Sequence, residues 1–157
     1  MPYKIFLSHG KADIDWVNWI KVKTENIGMD VYLFEYDPQP GTYVADKVKQ
    51  AIQNSDIFVV LLTHESQFSP YVQQEIGFAE ASGKQIIPIV QMGIQKQTLA
   101  MLEGREYIIF DFYSPENSLS TLLNYLRQLK TVKENEQAIL MGIGGIIFLS
   151  FVFGGKK

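Results

Sequence analysis

Asp56-Ile57-Phe58-Val59-Val60-Leu61-Leu62-Thr63 decides the fold. Six apolar residues stand in a row between two polar ones, with no polar residue at every second place. A strand wet on one face alternates. A strand covered on both faces reads as a continuous apolar run, which is the habit of parallel sheets packed between helices. Working outward, Val44 to Gln53 reads as a helix with Val44, Val48, Ala51 and Ile52 inward. On the other side Ser69-Pro70 opens a helix, with serine as cap and proline at the first position, that ends near Gly83. Further strands are expected at Tyr3 to Ser8, Asp30 to Phe34, Gln85 to Val90 and Glu106 to Asp111. Asp13 is placed to cap a helix reaching about Ile27, with Val17, Ile20 and Ile27 on one face and Gly28 as its stop. Ser114-Pro115 opens a last helix with Leu119, Leu122, Leu123, Leu126 and Leu129 in one stripe, and Gln91 to Arg105 is the least readable segment. Strands alternating with helices imply an α/β fold, a flavodoxin-like five-stranded parallel sheet in order 2-1-3-4-5 with helices on both faces.

The 157 residues suffice for one domain with a sizeable core. A net charge of -3 and a pI near 5.4 speak against non-specific nucleic-acid binding, which needs a basic footprint. The chain has no cysteine, which excludes disulfides, thiol catalysis and cysteine-bound metal. His9 and His64 lack metal-ligand spacing, so no metal site is expected. The apolar run at the N-terminus, Ile5 to Leu7, is too short for a signal peptide.

The far end differs. Ala138 to Gly155 (AILMGIGGIIFLSFVFGG) is 18 residues without a charge, closed by Lys156 and Lys157. As a helix it would be roughly 27 Å long, near the hydrocarbon thickness of a bilayer. It reads as a single membrane-spanning helix, the alternative being a helix buried in a protein interface, and the polar stretch 131–137 (TVKENEQ) joins it to a folded domain spanning 1–130. The short joint would hold that domain close to the membrane. Gly142, Gly144, Gly145 and Ser150 would let such helices approach closely. Lysines flank both ends, so orientation is not legible from charge.

Open α/β sheets bind ligands at the carboxyl ends of their strands, at the switch point in strand order. Three loops leave those ends early: Ser8-His9-Gly10, Glu35 to Thr42, and the link from Thr63 to Pro70. Glu75 falls in the second turn of the helix that follows, and Tyr32 and Phe34 close the second strand. Tyr32 and Phe34 share parity, so an ideal strand puts both on one side, with one of them free to serve as core. Trp16 and Trp19 read as packing, and Ser66 and Ser69 as helix caps. A helix glutamate is ordinarily a solvated surface residue.

Three boxes carry a resemblance over roughly residues 3–130. Ile5-Phe6-Leu7-Ser8-His9 resembles the first box of the TIR (Toll/interleukin-1 receptor) domain family. Asp37-Pro38-Gln39-Pro40-Gly41 matches its Asp-x-x-Pro-Gly BB loop. Ser69-Pro70-Tyr71-Val72-Gln73-Gln74-Glu75 matches the spacing of Ser-x-Trp-Cys-x-x-Glu, with Tyr71 and Val72 replacing Trp and Cys and Tyr36 where an arginine often stands. In catalytic members that glutamate cleaves NAD+ at the nicotinamide–ribose bond. The resemblance therefore assigns catalysis to Glu75, with Ser8, His9, Gly10, Tyr32, Phe34 and Tyr71 around the substrate and Asp37, Pro40 and Gly41 in self-association. It implies a NAD+ glycohydrolase or cyclase using NAD+ as substrate and no cofactor, acting as a homo-oligomer. With the tail, the expectation is a cytosolic domain tethered to a membrane, in signalling or defence. The alternative is a non-catalytic TIR adaptor that self-assembles through the BB loop. A phosphoacceptor receiver domain shares the topology but needs an Asp ending the third strand, where Leu62-Thr63-His64 stands. A nucleoside deoxyribosyltransferase, also built on a Glu in a similar fold, is more distant.

Overall fold

The computed structural model describes residues 2–34, 44–95, 102 and 104–140. The central run forms a strand, β3 (Ile57–Leu62), buried at every position. Around it lie β1 (Tyr3–Ser8), β2 (Met29–Tyr32), β4 (Ile86–Gln91) and β5 (Ile108–Phe110). All neighbours are parallel, in order β2-β1-β3-β4-β5, as the sequence implies. β2 stops at Tyr32, so Phe34 lies beyond the strand rather than in it.

Strand register sorts the core into two layers. Phe6 pairs with Tyr32 on one side and Phe58 on the other, so these three rings share a face. Val60, Leu62, Ile86 and Val90 continue it, and helices α2 (Val44–Gln53) and α3 (Pro70–Ala81) cover it with Ile52, Val72, Ile76 and Ala79. The rings stack at 5.5 Å between centroids for both Phe6–Tyr32 and Phe6–Phe58. Helix α1 (Ile14–Glu25) serves the opposite face. Its Trp16 meets Phe110 edge-on at 5.8 Å and Trp19 at 5.9 Å, so the tryptophans pack, as read. Helices thus cover both faces, which is why no strand of the centre needs polar alternation.

Asp13 occupies the N-cap position of α1 but makes no cap hydrogen bond. Its expected role is wrong because its carboxylate is engaged elsewhere, as described below. Ser69 does cap α3, accepting from Val72 N–H at 3.4 Å. Gly28 follows α1 at φ 89°, a backbone region that glycine enters without steric penalty.

The last helix, α4, runs from Pro115 to Leu140. The chain divides into two compact units at residue 119, within this helix. In the second unit Leu122 and Leu126 are buried, which follows the leucine stripe. Residues 131–137, expected as a polar joint, are helix continuous with what precedes them, and so are Ala138 to Leu140. Good helix formers on a polar surface carry the helix on without a break. Among the described residues no helix is long and apolar enough to cross a membrane. The rest of the apolar tail, 141–157, lies outside the described residues.

Candidate active site

The site is built where β1, β2 and α3 meet at the carboxyl edge of the sheet. Ser69 and Pro70 set the start of α3 and so the phase of every residue after them. Val72, Ile76 and Ala79 form its buried stripe. Glu75 follows Val72 by three and precedes Ala79 by four, which puts it on the flank of that stripe rather than in solvent. There its carboxyl group loses most of its water. Burial pushes its pKa from an ordinary 4.5 up to about 7, while the hydroxyl of Ser8 opposes the shift.

Ser8 ends β1 and is itself buried. Its Oγ points toward the carboxylate without completing a hydrogen bond of good geometry, and among the described residues it has no other partner. Tyr32, at the end of β2, is 41% exposed and stacked on Phe6. Its phenol is held above its usual range by burial first and by the negative charge of Glu75 second. Tyr71 stands one turn before Glu75 on the same flank of α3, with its ring exposed. The structure therefore brings together four of the expected residues: Ser8, Tyr32, Tyr71 and Glu75. A groove of about 520 Å³ runs away from them, between β2 and α2 from Tyr32 toward the amino edge of the sheet, with Lys4, Asp30, Lys47, Gln50 and Asn54 on its walls.

Other expected residues take different places. Phe34 is partly buried and packs against the core under α2 and α3. Between the two candidate rings, the structure leaves Tyr32 as the one presented to the crevice. His9 is half-buried, with Nδ1 3.4 Å from the Leu7 carbonyl. Gly10 is buried in an extended backbone conformation, φ -83°, that any residue adopts. It is glycine for want of space: a Cβ there would lie 2.7 Å from Ser66 Cβ. Asp37, Pro40 and Gly41 lie outside the described residues.

Sequence reasoning missed a buried polar cluster directly behind the first loop. Thr63 Oγ1 donates to Asp13 Oδ2 at 2.9 Å. Ser66, expected as a cap, instead accepts from Thr63 N–H at 2.8 Å and lies beside the same carboxylate. Burial raises the pKa of Asp13, opposed by these two hydroxyls. The only signal in the sequence was an aspartate at a cap position with several candidate partners. Nothing local distinguishes a cap from a long-range acceptor.

The fold and the phase of Glu75 on α3 place the protein among parallel α/β domains with a partly buried glutamate at the carboxyl edge of the sheet. The family model for the TIR domain matches residues 5–123, and the chain belongs to that family. Among curated protein sequences none matches. Among solved structures, the TIR domain of a Toll-related receptor from Hydra magnipapillata is similar at TM-score 0.63 and 21% identity, over 82% of this chain and 98% of that one. A CMP N-glycosidase of Clostridium botulinum is similar at 0.59 and 22%, over 78% and 98%. A metazoan TIR-STING receptor from C. gigas is similar at 0.60 and 21% over 74% of this chain, which spans 38% of that receptor. At these identities the likeness is one of fold.

Proposed function

We propose that this TIR domain is a NAD+ nucleosidase in which Glu75 faces the ribose carbon during cleavage of the nicotinamide–ribose bond. The observation that carries the reading is the half-buried Glu75 carboxyl, at about 7 in pKa, set between the Ser8 hydroxyl and the Tyr32 ring. Perturbed carboxyls gathered with polar and aromatic groups at a sheet's carboxyl edge are the usual sign of a working site. That one protein of similar fold is an N-glycosidase supports the bond class.

The chemistry follows from charges. The C1′–N bond breaks with its electron pair moving to nicotinamide, which neutralises the pyridinium. The leaving group therefore needs no acid. The ribose is left as an oxocarbenium-like cation, and a carboxylate beside it stabilises or traps that cation. Water then adds at C1′, giving ADP-ribose and a proton; attack by a group of the nucleotide itself would give a cyclic product instead. Before substrate binds, burial holds the Glu75 pKa up at about 7, so the carboxyl keeps a proton more readily than an ordinary one. The incoming pyridinium favours the charged form, so binding expels the proton and arms the site. Tyr32, stacked on Phe6, offers a fixed ring face to nicotinamide or adenine.

The domain works, in this reading, as a homo-oligomer touching through the BB loop at Asp37, Pro40 and Gly41. The apolar run Ala138 to Gly155 tethers it to a membrane on the cytosolic side, in signalling or defence. Tethering raises the local concentration of copies, so weak contacts become productive. The test is purified protein with NAD+, wild type against Glu75→Ala, at low and high protein concentration. Nicotinamide release that depends on Glu75 supports the reading. NAD+ left intact by the wild type at every concentration removes it in favour of an adaptor that assembles without chemistry.

A further inference from the structure

The loops leaving β1 and β3 are joined by polar groups that the cleavage chemistry does not use. Asp13, Thr63 and Ser66 are 6%, 4% and 4% exposed. Thr63 Oγ1 donates to Asp13 Oδ2 at 2.9 Å across 50 positions of chain. It also accepts from Ser66 N–H at 3.1 Å, and the Thr63 N–H donates to Ser66 Oγ at 2.8 Å. Asp13 N–H donates to the Gly10 carbonyl at 3.1 Å. Gly10 itself presses on Ser66 so closely that no side chain fits between them.

A buried carboxylate is expensive unless its lone pairs are used. Asp13 forgoes the helix cap that its position offers and spends its charge on the opposite loop. The result is a clamp between two loops, closed by a charge-assisted hydrogen bond, the stronger kind. Ser8, whose buried hydroxyl faces Glu75, stands two residues before the clamped Gly10.

We propose that Asp13 is a positioning residue: through Thr63 and Ser66 it holds the Ser8-His9-Gly10 loop where the Ser8 hydroxyl meets the Glu75 carboxylate. This rests on the reading of Glu75 as the cleaving group. Asp13 touches no substrate. It acts by fixing the backbone that carries Ser8, and misplacement by about 1 Å at a reacting centre costs on the order of a hundredfold in rate.

The experiment compares wild type, Asp13→Ala, Asp13→Asn and Thr63→Val in NAD+ turnover, with melting curves to fix the folded fraction. For Asp13→Ala and Thr63→Val, kcat per folded molecule is expected to fall by about tenfold or more, with KM moved by less than about threefold. Asp13→Asn keeps an oxygen that accepts from Thr63 and is expected to recover most of the rate. A lowered melting temperature with unchanged kcat in both weakened variants reduces the clamp to a structural brace and overturns the proposal. Should Asp13→Ala fail to fold, Thr63→Val, nearly the same shape, decides alone. A second readout needs no turnover: the Glu75 carboxyl is titrated by carbon NMR. Its midpoint, held above that of an ordinary carboxyl by burial, is expected to rise further in Thr63→Val as the loop withdraws the Ser8 hydroxyl that lowers it. An unchanged midpoint overturns the proposal. If the wild type leaves NAD+ intact, the cleavage reading fails, and the titration still tests the clamp.

Discussion

Replacing Glu75 by glutamine should stabilise the protein while abolishing its chemistry, and the gain should depend on pH. The folded carboxyl sits at about 7 against 4.5 for an ordinary one. Below pH 4.5 both folded and unfolded chains carry a neutral Glu75, and there is no penalty. Between 4.5 and 7 the unfolded chain ionises while the folded one holds its proton, so stability falls as pH rises. Above 7 both are charged and the full penalty stands. A shift of about 2.5 units at about 1.4 kcal/mol per unit gives roughly 3 kcal/mol, with 2 a fair lower figure because the carboxyl is not fully dry. Glutamine keeps the shape and removes the charge. Urea unfolding of both proteins at pH 4, 6 and 8 measures the difference. The curves should coincide near pH 4, and at pH 8 the variant should be more stable by about 2–3 kcal/mol. That corresponds to roughly 4–12 °C in melting temperature for a chain of this size. Equal stability at all three pH values would show that Glu75 is solvated in the folded protein. The account of the site would fall with it.

For NAD+ cleavage, kcat/KM should rise with pH through about 7 as the free site ionises, and a profile flat from pH 5 to 9 would speak against Glu75 as the essential base form. Tyr32→Ala should raise KM for NAD+ by about tenfold through loss of the ring face, whereas Phe34→Ala should chiefly lower stability, since Phe34 packs into the core; substrate titrations and melts separate the two. Gly10→Ala should destabilise by about 1–3 kcal/mol, because the new Cβ meets Ser66 Cβ at 2.7 Å; an unaltered denaturation midpoint would show that the two loops part freely. In fractionation, full-length protein should pellet with membranes and require detergent, and a chain ending at Asn135 should stay in the supernatant and lose activity on dilution.

The strands and helices were legible because each is written in short-range periodicity. The unbroken run Ile57 to Leu62 implied cover on both faces, and α1 and α3 on opposite sides supply it. Ser69-Pro70 marked a helix start that the backbone honours. Errors came where one local pattern suits two roles. Asp13 and Ser66 carry cap chemistry in their sequence context, yet Asp13 accepts from Thr63 in the loop after β3 and Ser66 accepts from the Thr63 N–H within that loop. Tyr32 and Phe34 share strand parity, but β2 ends at Tyr32, so parity no longer governs Phe34.

By itself the sequence determined the element order, the parallel sheet, the TIR kinship and the candidacy of Glu75, all of which rest on residues within a few positions of one another. Only the tertiary structure decided that Glu75 lies in a dry enough place to shift its proton affinity, with Ser8 before it and Tyr32 beside it. It alone decided that Gly10 is glycine for space rather than for backbone freedom, since φ is -83° there. The reason is physical. A repeat of apolar residues sets which side of a strand or helix is buried, and that needs no distant partner. Desolvation and hydrogen bonding depend on which groups arrive from 50 positions away, and that is set by packing.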